Sequence, residues 1–124
     1  MAWAQGLGKS EFRMAIQHWS DRIIIVDLPS GSEMGEELAA VVNFLSERKI
    51  HDVVIDLAGV EQISSSDLAG LLRLRQLAES GGRRLVLCGV TPAAEGIFLL
   101  AGLDAVFEIT HDKFTALATL EMTG

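Results

Sequence analysis

Apolar positions change their period several times along the chain, and each change marks an element. Residues 12–19 alternate, with Phe12, Met14, Ile16 and His18 on one side, and a Ser20-Asp21 turn separates them from the unbroken run Ile23-Ile24-Ile25-Val26. Period-two alternation followed by a turn predicts an opening β-hairpin. The second strand is apolar on both faces, which predicts a central strand covered by helices on both sides. Pro29-Ser30-Gly31-Ser32-Glu33 then breaks the strand with a Ser-x-x-Glu start, and Leu38, Val41, Val42 and Leu45 follow at i, i+3, i+4 and i+7. That spacing predicts one amphipathic helix ending near Lys49.

A strand over 53–57 follows, then a turn through 58–63 and the triplet Ser64-Ser65-Ser66. A helix from about Asp67 presents Leu68, Leu71, Leu72, Leu74 and Leu77 until Gly81-Gly82 stops it. The unit repeats. Residues 84–90 read as a strand, Pro92 opens a helix through Leu100 that closes at Gly102, and 105–109 read as a short strand before a helix from about Asp112 to Glu121. The order β-β-α-β-α-β-α-β-α predicts an α/β domain with a mixed, mostly parallel sheet, an opening hairpin, right-handed crossovers and about four helices. With 124 residues, 49% of them hydrophobic, the chain suits a single domain over 1–124 with its core at about 12–121. Loops at the carboxyl ends of strands usually carry function in such sheets, and the serine turn is one of them.

Ten Lys and Arg against 17 Asp and Glu leave a net charge of -7, which opposes nucleic acid and anionic lipid surfaces as partners. Cys88 lies in the run Leu85-Val86-Leu87-Cys88, and a lone buried thiol with no disulfide partner fits a reducing cytoplasm. No apolar run approaches the roughly 18 residues needed to span a bilayer, and the first ten residues lack the pattern of a secretion signal, so a soluble protein is expected.

The usual catalytic patterns are missing. No phosphate-binding Gly-x-x-x-x-Gly-Lys segment occurs, and Gly6-Leu7-Gly8 lacks the third glycine of a dinucleotide fingerprint. His18, His51 and His111 are far apart in sequence, with no Cys-x-x-Cys and no Gly-x-Ser-x-Gly elbow, so neither a metal nor a cofactor is expected. Asp27 and Asp56 each follow an apolar strand run. They could form an acid–base pair, but Asp at a strand exit more commonly accepts from local backbone N–H groups. Ser64 as N-cap places Asp67 at N3, a complete capping pattern that stabilises a helix by about 1 kcal/mol and leaves two serines without a stated need. An enzyme using these serines as nucleophiles would require a base that nothing nearby in sequence supplies.

The segments 53–60, Ser65-Ser66 before Leu68, 81–89, and Pro92 with 99–103 and Phe107 resemble, in order and spacing, the family of sulfate transporter and anti-sigma factor antagonist domains, the STAS family. The resemblance runs from about Ile23 to Leu120 and implies the same mixed sheet. It implies a stand-alone, non-catalytic switch in transcription regulation: the unmodified form binds a partner such as a kinase-like anti-sigma factor, the partner phosphorylates the motif serine, and a phosphatase reverses it. Matched to the family pattern Asp-Ser-Ser/Thr-Gly-Leu, the acceptor is Ser65, with Ser64 and Ser66 as lesser candidates, and the partner surface is Ser64, Ser65, Ser66, Asp67 and Leu68. Ser64 stands where the family has Asp, and Asp67 where it has Gly. Asp67 would repel a phosphate on Ser65, so modification is disfavoured relative to a standard member. The alternative is an unphosphorylated scaffold subunit of a signalling assembly or lipid-transport complex. Trp3 and Trp19, near the expected sheet edge, are either core residues or part of a homodimer surface.

Overall fold

The middle of the sheet includes two apolar runs that the fold removes from solvent, 23–26 and 53–55. In the computed structural model, which describes residues 16–29, 33–47 and 51–123, they lie in β2 (Ile23–Asp27) and β3 (Asp52–Asp56). The remaining strands are β1 (Ile16–His18), β4 (Leu85–Cys88) and β5 (Glu108–Thr110). The helices are α1 (Glu33–Glu47), α2 (Ser65–Ser80), α3 (Pro92–Leu100) and α4 (Lys113–Thr123), with a 3-10 turn at Leu103–Ala105. The sheet order is β1-β2-β3-β4-β5; β1 is antiparallel to β2, and every other pairing is parallel.

Register sorts the apolar side chains into two layers. Ile24, Val53 and Leu85 are neighbours across the strands, as are Val26, Ile55 and Leu87, and both rows face the core formed with α1, α2 and α3. Ile25, Val54 and Val86 form the alternate row, which packs with Ala116, Leu117 and Leu120 of α4. Because successive strand side chains point to opposite faces, a slip of one residue would exchange the two layers. Phe98 of α3 and Phe107 meet edge to face, centroids 5.9 Å apart, at the far end of the larger layer.

Several sequence expectations are corrected. β2 is internal, but β3 is the central strand. The strand expected over 84–90 is confined to Leu85–Cys88: Arg84 instead donates its backbone N–H to Asp52 Oδ1 at 2.9 Å and its guanidinium to Glu108, while Gly89 turns away at φ 65°. The strand expected over 105–109 shifts to Glu108–Thr110, because Gly102 at φ 72° leads into the 3-10 turn and delivers Phe107 to the core. Helix α2 begins at Ser65 rather than near Asp67, and Leu72 is exposed because the buried stripe runs through Leu71, Leu74 and Ala78. Helix α4 starts at Lys113, with Asp112 Oδ1 accepting from Thr115 N at 2.8 Å as its cap. Trp19 is not a core residue: it is half exposed and donates its Nε1–H to Glu121 Oε2 at 3.2 Å. Phe12, Met14, the Ser30 helix start, the end near Lys49, and Trp3 lie outside the described residues.

Gly89, just past the end of β4, closely approaches the chain leaving β3. A Cβ there would stand 2.8 Å from Asp56 Oδ1 and 3.2 Å from the Ala58 N and Cβ atoms, on a backbone with positive φ. Gly89→Ala is expected to lower stability by about 1–3 kcal/mol, read as a lower urea midpoint at unchanged m-value.

Candidate functional site

The serine turn is positioned by the loop that leaves β3. Val60 and Ile63 are buried, and Val60 N closes a turn on Leu57 O at 2.9 Å. Thr91 Oγ1 donates to Val60 O at 3.0 Å and accepts from Ala94 N at 3.3 Å, so one hydroxyl both caps α3 and clamps the serine loop beside it.

Ser64 is the N-cap of α2, in extended backbone at φ -87° and ψ 169°. Its Oγ accepts from Asp67 N at 3.1 Å, and its own N–H donates to Asp67 Oδ2 at 2.9 Å, a closed capping box. Ser65 and Ser66 follow as the first helical residues; both are exposed, and neither hydroxyl is hydrogen-bonded among the described residues. The capping assignment made for Ser64 and Asp67 therefore holds, and the triplet divides into one engaged hydroxyl and two open ones.

Ser66 and Asp67 also line a groove of about 370 Å³ between α1 and α2. Leu38, Ala39, Val42 and Gly70 supply apolar lining, and Arg73 lies two turns along α2 from Ser66. Gly70 lets the helices meet closely: a Cβ there would come within 3.1 Å of Leu38 Cδ1. Leu68, expected at the partner surface, is partly buried and packs against the core.

The two strand-end carboxylates are brought together. Asp27 and Asp56 are neighbours in the parallel register, and Lys113 Nζ lies 3.4 Å from Asp27 Oδ1 and 3.6 Å from Asp56 Oδ2. Asp56 Oδ1 also accepts from Ala58 N at 2.9 Å. Burial lowers the Lys113 pKa, but the two carboxylates outweigh it and the net shift is upward. This is a charge-compensated structural junction, in keeping with the structural reading of the Asp pair. Beside it, burial and then the Asp56 charge push the Cys88 thiol up to about 12, which leaves it an inert core group.

His18 and His51 do come together, ring centroids 5.5 Å apart and both against Phe44, while His111 lies at the β5–α4 connection. Among the described residues no group of three His, Cys, Asp or Glu side chains could hold a metal, and no helix is long and apolar enough to cross a membrane. Sequence reasoning missed Thr91, Lys113 and Arg73. The first was visible only as a Thr-Pro helix start, and the others as ordinary surface cations.

The family model described as "Mlab, STAS domain" matches residues 26–111. BtrV of Bordetella bronchiseptica, described as a candidate anti-sigma factor antagonist, is 32% identical over 98 residues, covering 78% of this chain and 80% of that protein. The chain belongs to the STAS family. Among solved structures, a candidate anti-sigma factor antagonist of Thermotoga maritima superposes with a TM-score of 0.75 at 17% identity, covering 90% of this STAS chain and 98% of that one. The Bacillus cell-fate determinant SpoIIAA, solved in its phosphorylated form, gives 0.63 at 12% identity over 84% of this chain and 96% of its own. Both show that the mixed five-strand sheet is the STAS fold.

Ser64→Ala is expected to lower stability by about 1 kcal/mol in urea denaturation, and Ser65→Ala to change it by less than about 0.5 kcal/mol. Lys113→Met leaves two adjacent carboxylates uncompensated at a partly exposed site and should cost about 1 kcal/mol. Because folding raises the Lys113 pKa, that difference should be present in full from neutral pH to about pH 10, where the carboxylates that raise it are ionised, and shrink as pH rises through the raised value.

Proposed function

We propose that this STAS chain is a non-catalytic regulatory binding module of the anti-sigma factor antagonist type. It docks a kinase-like anti-sigma factor, or a related signalling protein, at the serine turn and the α1–α2 groove, and phosphorylation of Ser65 switches that contact. A phosphatase would restore the unmodified form. The observation that supports this reading is the division within the triplet. Ser64 is held in the capping box, whereas Ser65 presents an exposed hydroxyl, unbonded among the described residues, at the first turn of α2. A phosphate there would add a charge of about -1.5 to -2 beside the groove. The helix N-terminus favours that charge. Asp67 opposes it by about 1 kcal/mol per unit charge at about 4 Å, even at the dielectric of water. SpoIIAA has been solved both unphosphorylated and phosphorylated, so a STAS fold accommodates the modification in that protein.

Asp67 favours a second reading, a constitutive scaffold in a signalling assembly or lipid-transport complex. Its carboxylate completes the cap without modification and already places a negative charge at the groove. A nucleophilic-serine enzyme would require a general base at the triplet, and no observation supports that reading as the closed capping box supports the other two.

Incubation with its cognate serine kinase and ATP, followed by mass spectrometry, should place phosphate on Ser65, lost in Ser65→Ala and retained in Ser66→Ala. Ser65→Glu should weaken partner binding at least about tenfold, or about 1.4 kcal/mol. Binding sensitive to Ser65→Glu without any phosphate on the triplet selects the scaffold. Binding indifferent to that charge removes the serine turn as the docking surface under both readings.

A further inference from the structure

Helix α4 is apolar on both of its sides. Inward, Ala116, Leu117 and Leu120 close the smaller core layer. Outward, Phe114, Ala118 and Met122 follow at i, i+4 and i+8; Phe114 is 75% exposed, Met122 is 85% exposed and Ala118 is exposed between them. A surface helix ordinarily turns polar residues to water, and a helix apolar all round is ordinarily covered.

We propose that a second copy of this chain covers α4, in a two-fold dimer whose α4 helices cross antiparallel at Ala118. The stripe is large–small–large about its midpoint, so a two-fold axis there sets Phe114 of each copy against Met122 of the other. Sulfur–aromatic contact is favourable in that arrangement, and the small central residue allows interaxial distances of about 8 Å. Electrostatics favour the same orientation. Antiparallel helices oppose their dipoles end to end, although Asp112 already caps the N-terminus of each α4. The chain carries a net charge of -7, which opposes approach of two copies across most of the surface. The exposed part of α4 from Phe114 to Met122 carries a single charge, Glu121, and that carboxylate is held by Trp19. Half-exposed Trp19 extends the apolar patch from the helix towards the hairpin turn. One short helix buries little area, so the dimer is weak and concentration-dependent, in the class below about 1,200 Å².

Sedimentation equilibrium of the full chain from about 10 μM to about 1 mM should show the mass rising from 13.4 kDa towards twice that value. Ala118→Glu, at an exposed helical position, should keep the circular dichroism spectrum and stay monomeric throughout. Ala118→Cys should form an intermolecular disulfide on mild oxidation, since the two-fold axis brings the substituted positions together, whereas buried Cys88 should not cross-link the wild type. A wild type that remains at 13.4 kDa overturns the proposal. So does a dimer that survives Ala118→Glu, or an Ala118→Cys protein that stays unlinked. Dimerisation that appears only after removal of residues 1–15 would make that segment the occupant and also overturns it.

Discussion

Because Val53, Val54 and Ile55 have no solvent exposure, β3 can exist only with a neighbour on each edge and a helical layer on each face. That double burial organises the remaining structure. The strands on both sides are parallel to β3, so their carboxyl ends emerge together. The same end carries the loop to α2, the loop to α3 and the start of α4. The serine turn is thus held by a strand that cannot shift register without exchanging its two core layers. Its loop is then fastened from the side by Thr91, and the close approach of Gly89 to Asp56 and Ala58 sets the adjacent turn.

Parallel alignment also has an electrostatic consequence. It places Asp27 and Asp56 side by side where both strands end, and like charges directly opposite across a sheet are destabilising. Lys113, the first residue of α4, lies within 4 Å of both and compensates them. The ammonium is therefore part of what docks α4 onto the smaller face. Since α4 supplies the helical residues of that layer among the described residues, the charge junction and the apolar contact of Ala116, Leu117 and Leu120 act on the same helix. Hydrophobic burial supplies most of the free energy, and the junction fixes where the helix begins.

Much of this was legible from local pattern. Unbroken runs of Ile, Val and Leu announced buried strands, and the spacing from Ser64 to Asp67 announced a capping box that the structure closes at 3.1 and 2.9 Å. What escaped was non-local. No short-range signal tells that Lys113 serves two aspartates 86 and 57 positions earlier, or that a threonine capping α3 also grips Val60. The start of β5 was misplaced for a related reason: Val106 and Phe107 have strand composition, but one left-handed glycine and a turn of 3-10 helix precede them, and Phe107 is taken by Phe98. Leu72 shows the limit of composition. In a helix with five leucines expected inward, the sheet accepts only one stripe, and a residue about 100° from Leu71 points elsewhere.

The serine turn holds a tension that a simple cap would not have. A helix N-terminus attracts negative charge, and here Asp67 already satisfies that attraction from within the chain, through a carboxylate bonded to the backbone it stabilises. Any anion arriving at Ser65 competes with Asp67 for the same partial positive charge, so its effect on the helix is smaller than at an uncapped N-terminus, while its effect on the groove is additive with the charge already there. Under the proposed function the structural and regulatory roles fall on neighbouring residues: Ser64 and Asp67 would secure the helix whether or not Ser65 is modified. A charge placed on Ser65 can then act on a docked partner without unravelling the helix that presents it. Under the proposed function, that separation makes the turn a switch for an interface rather than for the fold.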